Sequence, residues 1–113
     1  MTIKGMHGLF YTPAAEEARA FFRDKLGLAH VDAGDGWLIF GVSQAEFGVH
    51  PGERPAHELS FWCDDIEETV RSLKEKGVTF TTPIRDEGYG LVATMVVPGG
   101  LEVTLYQPRH PQP

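Results

Sequence analysis

A single interval constrains this chain more than any other feature. His7 and His57 stand fifty residues apart, and so do Gly27 and Gly77. Between each histidine and its glycine the residue types follow one plan. His7-Gly8-Leu9-Phe10-Tyr11 alternates like a half-buried strand, with His7, Leu9 and Tyr11 on one face; His57, Leu59, Phe61 and Cys63 share a face in the second copy. A helix follows each. In the first, Thr12 is placed to cap the opening amides, Pro13 sits where its missing N–H costs nothing, and Glu16 and Glu17 lie near the positive end of the dipole. Ala18, Phe21, Phe22 and Leu26 recur at helical spacing, and Gly27 ends the run. In the second, Asp64 is the expected N-cap, with Glu67 completing a capping box, Ile66, Val70 and Leu73 forming the buried stripe, and Gly77 closing it. Read this way, strand and helix repeat without insertion or deletion.

Three strand-like runs follow each helix, at roughly 28–33, 36–42 and 45–50 in the first half and roughly 78–82, 91–97 and 101–107 in the second. The plan is βαβββ twice, an α+β architecture. Pro51-Gly52-Glu53-Arg54-Pro55-Ala56 carries two prolines in six residues and reads as a connector. It divides a single domain, 1–113, into module 1 (1–52), module 2 (56–108) and a tail (109–113). One helix cannot cover both faces of a four-stranded sheet, so the modules must pair to bury both, within one chain or exchanged between two.

Composition narrows the classes. The chain has 113 residues and is 42% hydrophobic, enough for one core without disulfide staples. Cys63 is the only cysteine, and no basic-then-apolar leader or bilayer-length run is present, which points to the cytoplasm and away from membranes. The net charge is −6, and the ten Lys and Arg are scattered rather than gathered into a phosphate-neutralising stripe. Nucleic acid is therefore not an expected partner.

A His-led strand, a helix carrying Phe21-Phe22 and closing on Leu26-Gly27, its repeat from His57 through Asp64-Asp65, and a final Pro98-Gly99-Gly100-Leu101-Glu102-Val103-Thr104-Leu105-Tyr106-Gln107-Pro108 resemble the vicinal oxygen chelate superfamily. That superfamily includes glyoxalase I, bleomycin-resistance proteins and extradiol dioxygenases. The resemblance covers nearly the whole chain and implies a curved mixed sheet around a cleft, a small-molecule ligand, and a homodimer. In metal-using members a divalent ion is held from the first and last strands of each module. Carried over, His7 and His57 fall on the histidine positions. The carboxylate positions, four residues before Pro108 and before Pro51, fall on Thr104 and Phe47. A threonine hydroxyl is a poor replacement for a carboxylate and phenylalanine has no donor. Glu46 is one residue out of phase, whereas Glu102 shares Thr104's face.

Two functions follow. The first is a metal-independent protein that binds a small molecule in a cleft lined by His7, Phe47, His57, Thr104 and Tyr106, with no cofactor. The second is a divalent-metal lyase, isomerase or ring-cleaving dioxygenase, in which His7, His57 and Glu102 hold Fe, Mn, Zn or Ni. No catalytic residue is assigned. The bland readings are that the histidines are relics of a metal-binding ancestor, that Glu102 simply faces solvent, that His50 is a surface residue and that Cys63 is a small buried apolar group. Asp86-Glu87-Gly88-Tyr89-Gly90 reads either as a loop able to close over a ligand or as a hairpin turn, and His110 belongs to a proline-bounded tail expected to be disordered.

Overall fold

The computed structural model describes residues 8–47, 49, 51 and 53–111. Helix α1 (Ala15–Asp24) leads into an antiparallel hairpin of β1 (Ala29–Asp32) and β2 (Leu38–Gly41). Then come β3 (Ser60–Trp62), α2 (Ile66–Glu75), β4 (Arg85–Asp86), β5 (Gly90–Val97) and β6 (Leu101–Pro108). β3 lies parallel to β6, while β6 is antiparallel to β5 and β5 to β4, giving the order β3-β6-β5-β4. The strand entering α2 is thus set beside the last strand of the chain's second half.

Alternation in β5 and β6 builds the core. Ala93, Met95 and Val97 are completely buried, Val103 and Leu105 nearly so, and all five belong to one cluster with Ile66, Val70 and Leu73 of α2. Ala18, Phe21 and Phe22 of α1 join the same cluster, so the two halves share one core. Full burial of an aliphatic side chain is worth about 1.5–3 kcal/mol, which makes these positions the main source of stability. Phe22 is the junction: its ring lies 5.6 Å from Phe10, 5.7 Å from Phe40 and 6.0 Å from Phe61, which belong to three different segments.

The helix ends also meet. Lys25 donates to the Lys76 carbonyl at 2.7 Å and Lys76 to the Lys25 carbonyl at 3.3 Å, placing two cations on the negative ends of the two dipoles. Gly27 and Gly77 both take positive φ, 65° and 86°, as helix-closing glycines. The repeat, however, is not perfect. The helices are offset by 51 residues and the glycines by 50, because α2 passes from Lys76 directly to Gly77 whereas Leu26 intervenes after Lys25. The Leu28 amide consequently reaches back six residues to the Phe22 carbonyl, where Val78 needs five to reach Leu73.

The helix starts differ from expectation by one to two residues. The N-cap of α2 is Asp65, which accepts from the Glu68 amide at 3.2 Å; the Ile66 amide is taken by Gln107 Oε1 of β6 at 2.8 Å. For α1 the N-cap is Ala14, without a side-chain cap. Thr12 stands earlier because its hydroxyl is engaged elsewhere, donating to the Pro98 carbonyl at 3.3 Å while accepting from the Ala14 amide at 3.2 Å.

The expected first and fourth strands of the first half are not ladder strands among the described residues. Residues 8–11 are held by side chains instead, with Phe10 stacked on Phe22 and Gly8 lying under Leu59. Of the 78–82 run only Phe80 bridges to Met95, although Thr81 and Thr79 bond to Thr94 and Val96 on either side. Pro83 then stops the run, and the short β4 takes up the edge.

Candidate functional site

The sheet has two unlike faces. Phe61, Ala93, Met95, Val103 and Leu105 turn toward the helices. The register places Ser60 beside Thr104 and Trp62 beside Tyr106, with Thr94 opposite Thr104, Val92 opposite Tyr106 and Val96 opposite Glu102. These residues occupy the outer face. Val92 is only 4% exposed although it stands outside the main core cluster, so the outer face is covered at the level of Tyr106. At the other end of β6, Glu102 is exposed.

The structure distributes the expected site residues unevenly. Thr104 and Tyr106 come together on the outer face, half-buried. Phe47 is 77% exposed. His57 is exposed and lies three residues before β3 begins. His7 and His50 lie outside the described residues. Among the described residues no three His, Cys, Asp or Glu side chains gather into an ion-holding group, and Thr104 and Phe47 offer no carboxylate where the resemblance would want one.

Around Tyr106 a different set converges. The Tyr89 ring lies 5.9 Å away and the His110 ring 6.0 Å away, both tilted against it. The His110 Nε2 is 3.6 Å from Glu46 Oε2. The other carboxylate oxygen, Oε1, is buried and has no hydrogen-bond partner among the described residues. Burial pushes the Tyr106 phenol up, with the Glu46 carboxylate and Tyr89 adding to it, so the phenol remains a neutral donor. Gly90 is required at the base of this set, since any Cβ there would collide with the Tyr106 ring and the Gln107 carbonyl.

The neighbouring turn is pinned. Arg109 grips Asp86 with two nitrogens at 2.6 and 2.7 Å and also donates to the Gly88 carbonyl at 3.2 Å. Arg109 and the Gly88 amide together hold the Asp86 carboxyl down at about 2. Glu87 bonds to Gly90 across the turn, and Gly88 takes a φ of 83°. Of the two readings for this segment, the structure takes the hairpin turn.

Beside this cluster, an open recess of about 240 Å³ is lined by Trp62, Cys63, Asp64, Gln107, Pro108 and His110. Burial raises the Cys63 thiol, which keeps it protonated and removes it as a nucleophile. A larger hollow of about 450 Å³ sits on the connector among Glu53, Arg54, Pro55 and Ala56, immediately before His57 in the chain.

Glu46 and His110 are the residues that sequence reasoning passed over. On a strand Glu46 would be out of phase with Phe47, but residues 45–47 are not in a strand and the alternation argument does not apply. His110 falls in a proline-bounded segment, yet Arg109 is anchored on Asp86 and the His110 ring lies beside Tyr106. The arginine following Pro108, with Asp86 in a glycine-flanked turn, was the available signal.

Comparison with known proteins agrees with this fold. The model of the Glyoxalase/Bleomycin resistance protein/Dioxygenase superfamily matches residues 6–105, and the chain belongs to that superfamily. Among solved structures it is similar to TnmS3, an antibiotic binding protein from Streptomyces sp. CB03234, at 25% identity over 96% of this chain and 98% of that one, with a TM-score of 0.69. A superfamily member from Sphaerobacter thermophilus DSM 20745 gives 22% identity, 95% and 99% coverage and a TM-score of 0.69. Lactoylglutathione lyase from Agrobacterium tumefaciens gives 18%, 87% and 88%, and 0.64, a likeness of fold alone. No curated protein matches the chain.

Proposed function

We propose that this protein binds a small organic molecule on the outer face of the β3-β6-β5-β4 sheet, around Tyr106 and Thr104, without a metal ion. The observation that carries the reading is the grouping of Tyr89, Tyr106 and His110 over buried Val92, an apolar and aromatic surface with hydroxyls at its edge. The likeness to an antibiotic binding protein that is covered along nearly its whole length supports the same direction. A second copy of the chain fits this reading, because Leu9, Tyr11, Phe47 and Val49 of the first half are 50–93% exposed. Such a partner would cover these apolar side chains.

The test is metal analysis of untagged protein purified without chelators, beside a variant carrying His7→Ala and His57→Ala. The proposal expects no stoichiometric metal in either sample, and ligand binding that survives chelation. Near-stoichiometric Fe, Mn, Zn or Ni that disappears in the variant would overturn it in favour of a metal-dependent enzyme, with Glu102 the next ligand to replace.

A further inference from the structure

The segment after β6 is held at two adjacent residues in different ways. Arg109 is fixed, with two guanidinium nitrogens on Asp86 at 2.6 and 2.7 Å. His110 is held through its ring. Its Nδ1 lies 2.9 Å from the Pro111 carbonyl, an oxygen that can only accept, so Nδ1 carries a proton. Its Nε2 faces Glu46 Oε2 at 3.6 Å. A neutral imidazole protonated at Nδ1 would point a lone pair at that carboxylate, two acceptors with no hydrogen between them. The contact therefore needs a second proton, and of the two groups imidazole is by nature the more basic. The surroundings favour the resulting imidazolium. Glu46 Oε1 is buried and has no hydrogen-bond partner among the described residues, so the carboxylate has lost much of its hydration and gains from a positive charge at Oε2. The Tyr106 ring, 6.0 Å from the His110 ring, attracts a cation through its quadrupole. The Tyr106 hydroxyl donates to the Tyr89 carbonyl at 3.5 Å and does not serve Glu46.

From this geometry we infer that His110 is a proton-operated clasp on one wall of the recess beside Tyr106, which it lines together with Trp62 and Gln107. With both ring nitrogens protonated, it ties the end of the second half to Glu46 of the first. When the Nε2 proton leaves to solvent, the pair passes from net neutral to a single negative charge and a lone pair faces the anion. The ring then swings away about the fixed Arg109, and the recess opens toward Trp62. Imidazole is the side chain that makes this exchange near neutrality. The other ionisable groups around it are Asp64 and Cys63 across the recess, Tyr106 at its side, and the Arg109–Asp86 pair. The thiol and the phenol are both pushed upward and stay neutral, and Arg109 and Asp86 satisfy each other. Among the described residues Glu46 is the carboxylate within ion-pair range of the ring, so it decides where the ring sits. The inference adds pH control to the proposed ligand site and rests on that reading for its use, but the clasp itself is tested without a ligand.

The experiment is an NMR titration of the full chain between about pH 5 and pH 8. Ring nitrogen shifts report the protonation of His110, a ring-to-ring Overhauser contact reports its place against Tyr106, and the Trp62 indole reports the recess. At the acid end the expected state is a doubly protonated ring in contact with Tyr106. At the alkaline end the contact is lost, and the Trp62 signal moves with the same midpoint as the His110 nitrogens. In Glu46→Gln the side-chain amide can donate to a neutral Nε2, so the contact should persist at the alkaline end. His110→Gln should abolish the Trp62 step, which assigns that step to this ring rather than to another histidine. The clasp is overturned if the Tyr106 contact survives deprotonation in the unsubstituted protein or if Trp62 does not respond. It is equally overturned if the Trp62 step remains in His110→Gln, or if Glu46→Gln loses the contact at the wild-type pH. Should a variant fail to fold, the wild-type titration decides alone. None of these outcomes touches the binding reading, which metal analysis and ligand binding test separately.

Discussion

Replacing Phe22 with alanine tests whether the two halves of the chain truly depend on one core. Phe22 is 6% exposed and its ring faces Phe10, Phe21, Phe40 and Phe61 at 5.6–6.0 Å, linking four segments. Truncating a buried phenylalanine costs about 3–5 kcal/mol, a large share of the about 5–15 kcal/mol that holds a domain together. With a urea slope near 1.5 kcal/mol per molar, the midpoint should fall by about 2–3 M. Phe22→Leu keeps most of the volume and loses mainly the ring–ring geometry, so its cost should be about 1–3 kcal/mol. Trp37 lies in the first half and Trp62 on β3 in the second, so single-tryptophan variants report the halves separately by fluorescence. The account expects both signals to move together, in the wild type and in the variant. It is refuted if Phe22→Ala costs under about 1 kcal/mol, or if only the Trp37 signal shifts.

Other consequences are simpler to check. Asp86 titrates at about 2, below its ordinary 3.8, so the Arg109–Asp86 contribution is present above about pH 4 and is lost as the pH falls toward 2; an NMR titration of Arg109→Ala should return Asp86 upward toward its ordinary value. Gly99→Ala should be the more costly of two adjacent changes. Both Gly99 and Gly100 have positive φ, but a Cβ on Gly99 also strikes Thr12 while one on Gly100 meets nothing, and urea melts should separate the two by at least about 1 kcal/mol. If a second copy covers the exposed apolar residues of the first half, light scattering should give a dimer mass, and Phe47→Glu with Val49→Glu should shift it toward the monomer.

Much of this fold is written in short-range pattern. The stripes Ala18-Phe21-Phe22 and Ile66-Val70-Leu73 locate both helices, and Gly27 and Gly77 end them, because burial periodicity and positive φ are properties of a few consecutive residues. The caps slipped because their partners are remote: Pro98 draws Thr12 away from α1, and Gln107 reaches the Ile66 amide that a local cap would serve. The site divides in the same way. Thr104 and Tyr106 follow from counting along one strand. Glu46 and His110 do not, since they meet only after the chain has folded twice and Arg109 has fixed the tail on the Asp86 turn. No spacing in the sequence encodes that encounter.

The central claim is that a small molecule binds the outer sheet face without metal, and its most direct test is an amide NMR fragment screen run in excess chelator. The account predicts shifts at Trp62, Thr94, Thr104 and Tyr106 that are unchanged by chelation. Shifts that appear only after Fe, Mn, Zn or Ni is supplied, or that map to Glu53–Ala56 on the connector, would contradict it.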